Sequence, residues 1–156
     1  MLTKTKPAPA PKEAIAMLRA DHKKVSDLFA DYEKARAPAK KMALVKAICT
    51  ELAVHAQVEE EIFYPAVKAA LKDQELVPEA IVEQATMKEL IGQIEDKEPD
   101  GEMFDAKVKV LSEYVKHHVK EEHTEMFPKA KASGLDMLAL GQQLAARKSE
   151  LMAQHA

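Results

Sequence analysis

The chain has 156 residues, the length of one domain with a single sizeable core, and its 4 glycines are too few for the turns of a β-sandwich or β-barrel. A net charge of −3 with both signs evenly spread argues against a nucleic-acid groove and against a membrane-surface helix. The single cysteine, Cys49, excludes an intramolecular disulfide and a cysteine-based zinc site.

The N-terminal segment differs from the rest of the chain. Residues 1–11 are rich in proline, alanine and lysine without periodicity, so we expect a disordered tail there. No apolar run approaches the roughly 20 residues that span a bilayer, and no secretory signal is recognisable. We therefore expect a cytoplasmic protein without a membrane partner.

Four amphipathic segments follow, each with core-type side chains at alternating three- and four-residue steps. The first two stripes consist of Ile15, Leu18, His22, Val25, Phe29 and Tyr32, and of Val45, Ile48, Leu52, His55, Glu59 and Ile62. The third and fourth consist of Val77, Ile81, Gln84, Met87, Ile91 and Ile94, and of Phe104, Val108, Leu111, Val115, His118, Glu122 and Met126. Long helices with short connections predict an all-α, up-down-up-down four-helix bundle over residues 12–132. We expect Pro65 to kink or restart the second helix, and the fourth segment to meet Pro128 and to stop near Ser133 and Gly134. An extra C-terminal helix over residues 135–155 should pack on the bundle.

Six polar side chains interrupt these stripes, which should otherwise be apolar. They are His22, His55, Glu59, Gln84, His118 and Glu122. An unpaired carboxylate in a bundle core is strongly destabilising, whereas a cation would neutralise the acids and take the imidazole lone pairs. We therefore predict that these six residues form a metal site.

The spacing of these residues reveals an internal repeat. His55 and Glu59 are four residues apart, as are His118 and Glu122, so each pair lies on one helix face. HAQVEEEIFYPAVKA at 55–69 aligns with HVKEEHTEMFPKAKA at 118–132, and DHKKVSDLFADY at 21–32 aligns with EQATMKELIGQI at 83–94. The chain therefore consists of two similar hairpins, in which His22 of the first corresponds to Gln84 of the second.

The order His…His-x-x-x-Glu…His…His-x-x-x-Glu resembles that of the hemerythrin-like (HHE cation-binding) domains over about residues 12–132. The segments LRADHKKV, HAQVEEEIFYP and HHVKEEHTEMFPKA carry the resemblance. It implies a four-helix bundle with a non-haem di-iron centre that is bridged by carboxylates and by an oxo or hydroxo group. By the same resemblance, His22, His55 and His118 would be terminal ligands, and Glu59 and Glu122 would bridge the irons.

Gln84 departs from this pattern, because an amide oxygen is a poor iron ligand compared with an imidazole. The second iron would then have a water, an open position or weak occupancy, or would recruit another side chain. Tyr114, four residues before His118, is one candidate for a phenolate ligand. The chain also lacks the third-helix histidine pair and the His-x-x-x-x-Asp spacing of oxygen-carrying hemerythrins, which puts oxygen carriage in doubt more than metal binding.

Several functions remain compatible with such a site. The first is a small-ligand protein that binds or senses oxygen, nitric oxide or peroxide, or that stores iron. The second is a peroxide-consuming, catalase-like di-iron enzyme, and the third is a metal-free or zinc-bound structural bundle. The sequence favours binding over catalysis and gives no sign of a nucleic-acid partner. His117 and His123 lie off the core stripes, so we expect both to be solvated or partly exposed.

Overall fold

A computed structural model describes residues 12–155, so the tail predicted for residues 1–11 lies outside the described part of the chain. The described residues are helical and contain no strand, and the predicted all-α fold class is confirmed. The helices are α1 (Ala14–Lys34), α2 (Pro38–Val58), α3 (Tyr64–Leu71), α4 (Leu76–Ile94), α5 (Glu102–Glu121), α6 (Phe127–Ala132) and α7 (Met137–Gln154). Within this range, every helix is too short or too polar to cross a lipid bilayer.

Two π-helical turns join helices that the prolines were expected to interrupt. Glu59–Phe63 joins α2 to α3, and Glu122–Met126 joins α5 to α6. The backbone N–H of Tyr64 bonds to the carbonyl of Glu59, five residues earlier, and the second turn repeats this pattern. The wider turn accommodates Pro65, which has no N–H to donate, and the α-helix restarts at Tyr64 with this proline in its first turn, as predicted.

Short connections fold the long helices against each other. α1 ends at Lys34, and Pro38 opens α2, where its missing N–H is harmless. The Asp73 carboxylate accepts backbone hydrogen bonds at the start of α4. Gly101 precedes α5 with φ at +104°, a conformation that favours glycine. Neighbouring helices are therefore antiparallel.

The four long helical rods form a closed bundle whose core has two apolar clusters. α1 contacts α2 and α5, α4 contacts the same two helices, and α7 packs on α1 and α2. The α7-side cluster is built around Leu18, Val58, Phe63, Phe127 and Leu144. The distal cluster is built around Phe29, Ile48, Ile91, Phe104 and Leu111. The interrupting polar residues of the four stripes lie between the two clusters, and we call them the polar layer.

One predicted core position is wrong. Ile81 is 43% exposed, and Ala80 is buried in its place. The core-facing side of α4 steps from Val77 to Ala80 and then to Gln84, so the larger residue lies on the flank.

The packing of α7 on the bundle depends on Gly141. A Cβ atom at this position would overlap the carbonyl oxygen of Lys12 and would lie 3.0 Å from the backbone nitrogen of Ala14. Because these are backbone atoms, they cannot rotate away. We expect Gly141→Ala to lower the free energy of unfolding by about 1–3 kcal/mol, measured by urea denaturation followed by circular dichroism.

Gly92 provides the matched control, because it lies within α4 and a Cβ atom added there would meet nothing within 4 Å. Gly92→Ala should raise the free energy of unfolding by about 0.5–1 kcal/mol, since alanine is the better helix former. If both substitutions stabilise the chain, α7 does not pack on α1 as described.

Candidate metal centre

The polar layer brings all six predicted ligands together in the middle of the bundle. The Nε2 atoms of His22 and His55 are 3.2 Å apart, and His55 Nε2 lies 2.8 Å from Glu59 Oε1. His118 Nε2 lies 2.6 Å from Glu122 Oε1. None of the six is more than 8% exposed: His22, His55, Glu59, Gln84, His118 and Glu122.

These side chains form two overlapping groups of candidate ligands. One contains His22, His55 and Glu122, and the other contains Glu59, His118 and Glu122; within each, the ligand atoms lie within 4.8 Å of one another. Glu122 belongs to both groups, because Oε1 faces His118 while Oε2 lies 3.7 Å from His22 Nε2. A carboxylate in this position can span two cations.

Two carboxylates outside the predicted set orient the imidazoles. His55 Nδ1 donates to Asp21 Oδ2 at 3.0 Å, and His118 Nδ1 donates to Glu83 Oε1 at 3.1 Å. Each bond leaves Nε2 facing the polar layer, as in many metal sites. Asp21 and Glu83 occupy the same position in the two repeats, and this match was the sequence signal for their shared role.

His22 is oriented by a histidine instead of a carboxylate. Its Nδ1 shares a hydrogen bond of 2.8 Å with His123 Nε2, and its ring stacks on Phe127 with centroids 6.1 Å apart. His123 is partly exposed, as expected from its position off the core stripe, and still contacts His22. All three imidazoles therefore present Nε2 to the same space.

Tyr64 supplies a phenol that the sequence did not predict. Its hydroxyl donates to Glu122 Oε1 at 2.8 Å, lies 3.1 Å from His118 Nε2 and accepts from Gln84 Nε2 at 3.0 Å. Tyr114, the phenolate candidate considered from the sequence, is 47% exposed. The phenol of the polar layer is therefore Tyr64.

The π-helical turn explains why Tyr64 faces the polar layer. In a regular α-helix, the residue four positions after Glu59 would follow it on the same face, and that residue is Phe63. The π turn adds about one residue, which brings Tyr64 to that face. The second π turn places Phe127 equivalently after Glu122.

The two sides of the polar layer differ at a pair of contacting residues. Phe127 contacts His22, whereas Tyr64, its counterpart in the repeat, contacts Gln84, the counterpart of His22. One side of the polar layer therefore has a histidine beside a phenylalanine, and the other side has a glutamine beside a tyrosine.

Three buried oxygen atoms of the polar layer have no hydrogen-bond partner among the described residues. They are Glu59 Oε2, Gln84 Oε1 and Glu122 Oε2. Buried polar atoms without partners are rare in folded proteins, and an ion or ordered water is a common explanation. All three are acceptors, which is what a cation requires of its ligands.

The two carboxylates respond differently to burial. Burial, followed by the charge of Glu122, raises the pKa of Glu59 to about 7. Burial also acts to raise the pKa of Glu122, but the hydrogen bond and charge of His118 outweigh it and lower this pKa to about 2. Glu122 therefore stays ionised and Glu59 holds a proton easily.

The imidazoles balance this negative charge in the metal-free chain. Burial acts to lower the pKa of His118, but its bond to Glu122 outweighs burial and raises the pKa to about 9. The pKa of His55 is likewise raised, because Glu59 and Asp21 outweigh burial. Burial and then the charge of His55 lower the pKa of His22 to about 3. Protons on His55 and His118 thus occupy the places that a cation would neutralise.

The donor set of the polar layer consists of nitrogen and oxygen atoms. Imidazole, carboxylate, amide and phenol groups suit iron or manganese better than soft metals, which prefer thiolates. Cys49 lies in the distal cluster, where burial raises the pKa of its thiol to about 12. The residues present therefore fit a centre for hard or borderline cations.

The helix outside the bundle also reaches this centre. Lys148 of α7 donates to Asp21 Oδ1, while the other oxygen of Asp21 holds His55. The orientation of His55 therefore depends on a permanent positive charge from α7.

A cavity of about 30 Å³ adjoins the polar layer on the side of the distal cluster. Its polar lining includes His22, His55, Gln84 and His118, and its apolar lining includes Val25, Leu52, Met87, Ile91 and Val115. This volume has room for about one or two water-sized molecules.

Part of a longer curated protein has a sequence similar to this chain. A curated relative named as a DNA nickase, from Nostoc sp. (strain PCC 7120 / SAG 25.82 / UTEX 2576), is 32% identical over 111 residues. These residues are 71% of this chain, but the chain spans only 31% of that relative's length.

A solved structure has a similar fold. It is a hemerythrin HHE cation binding domain-containing protein from Mycobacterium kansasii, with a TM-score of 0.77 and 20% sequence identity. The match covers 92% of this chain and 89% of the other. The model of the hemerythrin HHE cation binding domain matches residues 13–130. The chain therefore belongs to the hemerythrin HHE cation-binding domain family.

Proposed function

We propose that this chain is a non-haem di-iron protein that binds oxygen, nitric oxide or peroxide in its polar layer. The observation that carries the proposal is the group of three unpartnered acceptor oxygens on Glu59, Gln84 and Glu122, which lie among three inward-facing imidazoles. Membership of a cation-binding family supports it.

The residues divide naturally between two positions. His22 and His55 would hold one ion, His118 and Tyr64 would hold the other, and Glu59 and Glu122 would lie between them. A bound pair of irons supplies Lewis acidity and one-electron redox chemistry toward a small ligand.

Tyr64 can supply an anionic oxygen ligand, which the neutral amide of Gln84 cannot. Burial, and then the charges of Glu59 and Glu122, hold the pKa of this phenol well above its usual range. The phenol therefore keeps its proton in the metal-free chain and donates a hydrogen bond to Glu122 Oε1. Only a cation nearby would favour the phenolate, so we expect Tyr64 to lose its proton as the site fills.

The size of the adjoining cavity limits the ligand to a few atoms. Glu59 and Glu122 are 0% and 1% exposed, so a DNA strand cannot reach them. We therefore assign no strand cleavage to this centre, although the Nostoc relative is named as a nickase.

Peroxide consumption is a second candidate function, which the position of Tyr64 favours. Disproportionation of two hydrogen peroxide molecules to two water molecules and one oxygen molecule moves protons from one peroxide to the other, and the Tyr64 hydroxyl is a buried donor within the polar layer. Oxygen evolution on addition of hydrogen peroxide to the iron-loaded chain would favour this enzyme. A reversible spectral change without turnover would favour ligand binding.

Metal content tests the proposal directly. We expect the chain, loaded and desalted without oxygen, to hold about two iron ions, as other di-iron bundles do. Glu122→Gln should reduce this to one or none, because a neutral amide replaces the carboxylate that faces both groups. Iron is measured by atomic emission.

The control is Glu125→Gln, which removes an exposed acid from the same π-helical turn and should leave the iron content unchanged. Zinc in place of iron, or a wild-type chain without metal, would instead support a structural bundle.

Tyr64→Phe tests the phenolate. After oxidation to the ferric state in air, the iron-loaded chain should show a phenolate-to-iron charge-transfer band in the visible range, and this variant should lose it together with part of its iron. Tyr114→Phe, at an exposed position on α5, should change neither. Retention of the band in Tyr64→Phe would show that another group is the ligand.

The double variant Tyr64→Phe/Gln84→His gives this side of the polar layer a phenylalanine and a histidine, as the other side has in Phe127 and His22. Since an imidazole replaces the phenolate, we expect iron content to recover to the wild-type value while the visible band stays absent. Iron that remains low would mean that Tyr64 and Gln84 do not act as a pair.

Metal loading should release protons and strengthen as pH rises. The metal-free pKa of His118 is about 9 and that of His55 is also raised, so both imidazoles are protonated at neutral pH. Cations must displace these two imidazole protons and the proton of the Tyr64 phenol, about three per chain, so affinity should increase toward pH 9 and fall in acid. Proton release is measured with an indicator dye in weak buffer. Affinity that stays constant over this range would contradict the assignment.

A further inference from the structure

A second cluster of metal-binding side chains lies on the surface beside the polar layer. Glu83 of α4 and the pair His117 and Glu121 of α5 place one ligand atom each within 4.8 Å of the others. His117 Nε2 is 3.0 Å from Glu121 Oε1 and 3.4 Å from Glu83 Oε2. His117 is 65% exposed, so a cation reaches this cluster from solvent.

The cluster repeats the spacing of the buried ligands. His117 and Glu121 are four residues apart and precede the buried pair His118 and Glu122 by one position. One residue rotates a helix by about 100°, so the second pair faces outward between α4 and α5. Both pairs are therefore presented where the end of α5 meets the second π-helical turn.

The charges of the cluster are not balanced by basic side chains. Among residues 12–155, neither Glu83 nor Glu121 has a lysine or arginine nitrogen within 4.0 Å, and their ion pairs are with histidines. Two carboxylates beside one imidazole are a suitable ligand set for a divalent first-row cation.

A small crevice of about 10 Å³ lies between this cluster and the buried centre. Glu83 and Glu121 line it on the outside, and His118 and Glu122 line it on the inside. Glu122 is one of the buried residues with an unpartnered oxygen. Glu83 belongs to both sites, because Oε1 accepts from His118 while Oε2 faces His117.

We propose that Glu83, His117 and Glu121 form a surface site for a divalent first-row cation, and that cations pass from it through the crevice to load the buried centre. The surface site is argued from the surface cluster alone, whereas the loading route rests on the proposed metal function of the polar layer. A negatively charged opening raises the local concentration of cations and thereby speeds their uptake. The next ligands that a cation meets are His118 and Glu122.

Uptake of Co²⁺ by the metal-free full-length chain tests the proposal, since its visible absorption reports binding. The variant His117→Ala/Glu121→Gln removes two ligands of the surface site and none of the buried centre. The matched control is His155→Ala/Glu98→Gln, which makes the same substitutions at exposed positions outside the cluster. A brief pulse of chelator removes Co²⁺ from the surface and leaves Co²⁺ in the buried centre.

At equilibrium, the wild-type chain and the control should bind about one Co²⁺ more per chain than the surface variant, which lacks that ligand set. Equal binding by all three would overturn the surface site. This comparison does not depend on the buried centre, so it remains decisive even if chelator-resistant binding is absent and the proposed function fails.

The rate of chelator-resistant binding tests the route. We expect the surface variant to fill the buried centre about tenfold more slowly than the control, with the same final amount. Equal rates would overturn the loading role while leaving the surface site supported. A lower final amount in the surface variant would also contradict the route, because it would place these residues among the ligands of the buried centre.

Discussion

The structure depends on how negative charge is neutralised in the middle of an apolar bundle. Glu59 and Glu122 lie between two hydrophobic clusters, where an unpaired carboxylate would be strongly destabilising. Imidazoles from α1, α2 and α5 surround them, and each imidazole is oriented by a partner farther from the centre. The metal-free chain uses protons for this neutralisation, and we propose that cations take their place.

Duplication supplied this geometry twice, and the two copies have since diverged. Asp21 and Glu83 keep the same role in both halves, since each accepts from an imidazole of the other helix in its hairpin. By contrast, the paired exchange of His22 and Phe127 for Gln84 and Tyr64 changes the donors on one side only. We therefore expect the two cation positions to differ in ligand charge, with the phenol side carrying the additional anion.

The helices and the six polar-layer residues were predictable because both follow the regular period of an α-helix. His22, His55, Gln84 and His118 interrupt apolar stripes, and a burial pattern shows such interruptions directly. Tyr64 was not predictable by the same reasoning, because the π-helical turn shifts the period by one residue. The proline after Tyr64 was visible in the sequence, but its effect on the turn was not.

The residues that orient the imidazoles and the surface cluster could be identified only from the tertiary structure. Glu83 contacts His117 and His118 from a different helix, and no spacing along the chain reveals this contact. The repeat did align Asp21 with Glu83, but an alignment of two acids does not show which side chains they bond. Position in the fold gave them that role.

The match to the family ends at residue 130, whereas Lys148 lies beyond it on α7. This lysine holds the carboxylate that sets the direction of His55, and Gly141 allows the same helix to approach α1 closely. A domain trimmed to the family boundary would therefore lose the lysine that bonds to the acid beside His55. In this protein, the contacts that support the polar layer extend past the segment by which its family is recognised.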